Sequence, residues 1–132
     1  MGLDIVSSDW VCDFHIGYVG FFTMRTYFVL QLSKELYDDY RSLAHEGYDS
    51  PVDEDAFSEA IGDLYILLSH SDCDGELSVD ECRRLKEVLF VDEDLIKTRL
   101  DNEYNPRMIK LMHEFIRLVE YAADNNVKLL FG

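Results

Sequence analysis

Positive charge is scarce in this sequence. Its 132 residues hold 12 Lys and Arg against 27 Asp and Glu, a formal net charge of −15, which opposes passive attraction to nucleic acid or to an anionic membrane. Direct nucleic-acid and membrane partners are therefore disfavoured. Cysteine is sparse and unpaired: Cys12, Cys73 and Cys82 form an odd set without CxxC spacing, so neither a disulfide framework nor a cysteine-rich zinc site is indicated. The opening Met1-Gly2-Leu3-Asp4-Ile5 lacks the basic stretch and apolar run of a secretory signal. The apolar run from Gly20 to Leu32 is interrupted by Arg25 and Gln31 and falls short of the roughly 20 residues that span a bilayer. These absences predict a protein of the reducing cytoplasm. A GxSxG elbow, a P-loop and an HExxH helix are missing too, and Cys73 lies among carboxylates that raise rather than lower a thiol pKa. A non-enzymatic role is expected.

What is present suits a packed core. Hydrophobic residues make up 48% and aromatics 13% of the chain, a globular composition at a length that fits one domain, 1–132. Leu3-Asp4-Ile5-Val6 and the alternating stretch Trp10 to Tyr18 predict a hairpin. From Phe21 to about His45 there is no Pro or Gly, and Phe21, Met24, Phe28, Leu32 and Leu36 recur at helical spacing, which predicts one long central helix. Ser50-Pro51 reads as a cap and first turn of a second helix, with Phe57, Ala60, Ile61, Leu64, Leu67 and Leu68 on its inner face. Ser78-Val79-Asp80-Glu81 matches a capping box that opens a third helix. A short helix is expected within 92–102, and Asn105-Pro106 starts a last one, whose apolar stripe runs from Met108 through Phe115 to Ala122. The closing Val127 to Phe131 suits a strand paired with the N-terminal segment. The fold class expected is α+β, predominantly α: four or five packed helices with a small sheet formed by short terminal strands.

The sharpest local pattern is the segment from His70 to Glu81, which resembles a calcium-binding EF-hand loop. Asp72, Asp74, Glu76, Ser78 and Glu81 fall at positions three, five, seven, nine and twelve, and Gly75 falls at the sharp turn. Calcium needs such a loop because a hard cation takes six to eight oxygens. His70 departs from the pattern, putting a nitrogen where an aspartate oxygen normally stands, and the sequence holds no second loop to pair with this one. A metal-free reading explains the same residues: Gly75 turns the chain, while Ser78 and Glu81 cap the helix. No cofactor is favoured, with calcium as the alternative.

Three blocks resemble an uncharacterised family of small phage and bacterial proteins: Met1 to Ile5, Tyr18-Val19-Gly20-Phe21 with Arg25, and Ser71-Asp72-Cys73-Asp74-Gly75. Ala122-Ala123-Asp124-Asn125 adds to the likeness, while the longer segment such proteins carry between the opening strand and the Tyr-x-Gly block is mostly lacking. The resemblance implies that the position of His70 is often aromatic, hence a structural turn.

Before the central helix, Trp10, His15, Tyr18, Gly20 and Arg25 suggest a small-ligand site, with aromatic faces to stack a ring and a guanidinium to grip an anion. The plainer alternative is packing: a tight turn at Gly20 and a paired Arg25. Charge supplies the last clue. Residues 37–103 hold 20 acidic and 6 basic residues, a net −14. The ordinary reading is a solvated face; the sharper one is a phosphate-like array that occupies a basic host protein as a DNA mimic. The expectation is thus an acidic binding protein with a protein or small-molecule partner. A single EF-hand-like calcium module and a DNA mimic are its alternatives.

Overall fold

The computed structural model describes residues 2–132, apart from the side chain of Asn102. Strands β1 (Gly2–Ser7) and β2 (Asp13–Gly17) form the expected hairpin, with Leu3 opposite Ile16 and Ile5 opposite Phe14. Alternation puts Leu3, Ile5, Phe14 and Ile16 on the buried face. The tip is tied by Ser7, whose hydroxyl accepts from the Cys12 amide at 3.0 Å and donates to Asp9 at 2.6 Å.

Helix α1 (Tyr18–Leu30) follows, buried on every side from Met24 to Leu30. The expected continuous rod Phe21–His45 is two helices, because the chain turns at Gln31–Ser33 and Ser33 caps α2 (Lys34–Glu46) by accepting from the Leu36 amide. Tertiary bonds hold the break. Arg99 donates to the Leu30 and Gln31 carbonyls at 2.6 and 3.0 Å, and the buried Gln31 side chain donates to Phe90 O and accepts from Asp92 N.

The second expected helix is also divided. It starts at Asp53, not Ser50, since Asp53 accepts from the Asp55 and Ala56 amides while Ser50 bonds Ser42 and the Val52 amide. Helix α3 (Glu54–Ile61) stops at Gly62, and a tight turn leads into the single-turn α4 (Tyr65–Leu68). Ala60, expected on the inner face, is exposed.

Strand β3 (Glu76–Leu77), from the middle of the chain, joins the expected terminal strands, and α5 (Val79–Val88) opens with the complete capping box of Ser78 and Glu81. Asp92 caps α6 (Glu93–Leu100), and Asn105 with Pro106 opens α7 (Pro106–Asp124) as expected. The C-terminal β4 (Leu129–Phe131) pairs with β1 on one side and β3 on the other, giving an antiparallel order β2-β1-β4-β3. The fold is α+β and mostly helical. Edge-to-face pairs join the sheet's inner face to α7 (Phe14–Phe115, 5.8 Å) and to α1 (Phe21–Phe131, 6.2 Å). Among the described residues, no helix is long and apolar enough to cross a membrane.

Candidate functional site

Four helices each present a pair of side chains at i, i+3 spacing to one cleft, the spacing that puts neighbours on a single helical face, and α2 adds the exposed Ala44 at the rim. Helix α1 supplies Phe22 and Arg25, α2 Tyr40 and Leu43, α3 Glu54 and Phe57, and α4 Tyr65 and Leu68, around a volume of about 290 Å³. Three rings form a stacked row: Phe22 and Tyr40 lie 5.6 Å apart at 28°, and Tyr40 and Phe57 lie 6.1 Å apart at 11°. Tyr65 meets Phe57 edge-on at 6.4 Å and donates its hydroxyl to the exposed Glu54 carboxylate at 3.0 Å. The walls are therefore apolar and aromatic, with one carboxylate at the mouth.

Arg25 is the buried charge in this cleft, 8% exposed. Its Nη1 donates to the carbonyls of Leu67, Leu68 and His70 at 3.4, 3.2 and 2.9 Å, and so caps the C-terminal end of α4. Its guanidinium also lies over the Phe21 ring, 4.4 Å from the centroid. Among the described residues, Arg25 Nε is the buried side-chain nitrogen or oxygen that lacks a hydrogen-bond partner. Burial lowers the Arg25 pKa from its ordinary value, opposed by Tyr40 and Asp72. Burial likewise raises the Tyr40 phenol, against the pull of Arg25, and raises that of Tyr65, where Glu54 adds to the effect.

The five residues expected to form a ligand site do not come together. Trp10 sits at the hairpin tip, 75% exposed and with φ of +62°. His15 is exposed on β2, where its Nδ1 lies 2.6 Å from an Asp4 carboxylate oxygen. Tyr18 is half-buried at the start of α1, and Gly20 lies so near Ile16 that a Cβ would stand 3.1 Å from its side chain. His15 and Gly20 share a separate hollow with Asn105 and Arg107. Arg25 is two helical turns beyond Tyr18, about 10 Å along the axis, and faces α4. Gly20 lies within α1 rather than at a turn before it, and its close approach to Ile16 is packing; Arg25 is held by backbone carbonyls instead of an acidic partner and, of the five, alone reaches the cleft. Its partners Phe22, Tyr40, Phe57 and Tyr65 were invisible as a group because they come from four separate helices.

The turn 70–81 is built from its own contacts. His70 Nδ1 lies 2.7 Å from the Ser71 carbonyl oxygen and Nε2 lies 3.0 Å from that of Glu76, the carbonyl that would face a cation. The ring packs on Phe131 at 4.0 Å. Gly75 turns the chain at φ +91°, and its carbonyl accepts from the Phe131 amide. Glu81 accepts from the Ser78 amide at 2.9 Å, and the Ser78 hydroxyl accepts from the Glu81 amide at 3.1 Å. Glu76 pairs with Lys128, while Asp72 and Asp74 are exposed. Among the described residues, no three His, Cys, Asp or Glu side chains converge in a metal-holding group.

No family model, curated protein or solved structure matches the chain. Met1, which opens the first block of the phage-type resemblance, lies outside the described residues.

Proposed function

We propose that this chain is a non-enzymatic binding protein that takes a small ligand in the cleft between α1, α2, α3 and α4. One observation carries the reading: Arg25, a buried guanidinium whose Nε has no hydrogen-bond partner, is one of the residues lining an aromatic-walled cleft. The large majority of buried side-chain donors in protein interiors have a partner, so an unsatisfied donor on a residue that lines a cleft marks a place where a ligand could supply one. The polar groups of the cleft are a guanidinium, a carboxylate and phenols, with no nucleophile paired to a base. The Cys82 thiol is buried and pushed up to about 12 by that burial, so it supports no nucleophilic role. Unpaired cysteines and the resemblance to small phage-type proteins support a cytoplasmic setting.

The test is an amide NMR screen of the purified protein against small aromatic and aliphatic acids, amines and alcohols. Shifts are expected around Phe22, Tyr40, Phe57 and Tyr65, and Ala44→Trp, which fills the exposed rim of the cleft, is expected to abolish them. Shifts that persist in Ala44→Trp, or no cleft shifts with any compound, would overturn the reading.

A further inference from the structure

Three features of the cleft narrow the ligand's chemistry, on the reading that it is a binding site. The first is the unused edge of Arg25. Nη1 makes the bonds to Leu67, Leu68 and His70, which leaves the edge formed by Nε and Nη2. That edge carries two parallel N–H donors, the fork that matches the two oxygens of a carboxylate. The second is charge. Glu54 stands at the mouth, Asp72 is close enough to act on Arg25, and the whole chain carries −15. One buried cation in that field suits a single negative charge, and a phosphate dianion would meet repulsion with no second cation to offset it. The third is shape. Phe22, Tyr40 and Phe57 form a row of rings, and about 290 Å³ lies at the small end of ligand cavities, room for one ring and a short arm.

We infer that the cleft binds a planar aromatic monocarboxylate of one ring, its carboxylate on the Nε–Nη2 edge of Arg25 and its ring against the aromatic row. Nε is sealed from water, so binding a carboxylate there requires the side chains that cover it to move aside. The acid group replaces the missing hydrogen-bond partner of Nε. A positively charged ligand would instead place its charge beside the guanidinium.

The probes are benzoate, benzamide, cyclohexanecarboxylate and benzyltrimethylammonium, titrated by calorimetry and amide NMR into the whole protein. Benzoate is expected to bind at the cleft, with benzamide and cyclohexanecarboxylate each about tenfold weaker. Glu54→Gln keeps an acceptor for Tyr65 and removes the negative charge at the mouth, so benzoate should bind about threefold tighter. Arg25→Lys keeps the charge and loses the fork, and should weaken benzoate about tenfold. Because Arg25 also caps α4, the Glu54→Gln and Ala44→Trp variants keep the inference testable if Arg25→Lys fails to fold. Benzamide or the ammonium binding at the cleft as well as benzoate would overturn the carboxylate assignment while leaving the cleft as a site. Equal binding of cyclohexanecarboxylate would overturn the aromatic part alone. Failure of all four probes to perturb the cleft would overturn this inference, and silence across the wider screen would overturn the site as well.

Discussion

Arg25 holds the end of α4 through three carbonyl oxygens while its own Nε has no partner. Arg25→Met keeps the length of the side chain and strips those donors, so it should destabilise the fold by about 1–3 kcal/mol. Urea denaturation is the measurement, and an unchanged midpoint would show that the cap contributes nothing. Asp9 couples stability to pH. The Ser7 hydroxyl, and then the Tyr121 phenol at 2.5 Å, hold its carboxyl below the ordinary 3.8. A lowered folded-state pKa means stability that is present above the unfolded value and is lost as pH falls through the folded one. Melting temperature should therefore decline more steeply below about pH 4 in the wild type than in Asp9→Asn, where that loss is already built in. Parallel curves would remove Asp9 from the acid response.

The turn between α4 and α5 shows what a short element needs to hold itself. His70 spans it, Gly75 bends it, and Ser78 with Glu81 closes the start of α5. Ser78→Ala should cost about 1 kcal/mol, the usual worth of such a cap, read from thermal unfolding. With Glu81 committed to the Ser78 amide, calcium titration of the wild type should give no heat at millimolar concentration. Heat that disappears in Glu81→Gln would put the calcium module first. The helix breaks at Gln31–Ser33 and at Gly62 likewise rest on short segments. Ser33 and Gly62 are local signals a reader of the sequence can find, since a serine caps one helix and a glycine ends another. The bonds from Arg99, 68 and 69 residues away, carry no such local mark.

Over the whole molecule, net charge is the dominant long-range force. At −15, self-repulsion opposes the compact state, and the ion pairs such as Lys34–Asp38 and Arg84–Asp63 are solvent-exposed, where pairs contribute little. Melting temperature should rise as sodium chloride shortens the screening length from about 30 Å at 0.01 M to about 3 Å at 1 M. A fall across that range, followed by calorimetry, would show that the exposed pairs outweigh the repulsion. A DNA-mimic role would appear in a different observation, the capture of a basic host protein at low salt and its release at high salt.

Features that depend on nearby residues are legible in the amino-acid order alone. The hairpin, the capping box at Ser78, the Asn105-Pro106 start and the apolar stripe of α7 all follow from alternation, caps and helical periodicity. The pairing of the two termini was also legible, because a short apolar strand needs an edge to complete. Where Arg25 points and which rings surround it are set by how the helices pack. Phe22, Tyr40, Phe57 and Tyr65 look like ordinary core positions until four helices meet, and their convergence depends on the helix break at Gln31–Ser33, held by contacts 59 to 69 residues apart in sequence. Periodicity tells which face of a helix is buried, but not against what, so the cleft emerges only when the helices pack.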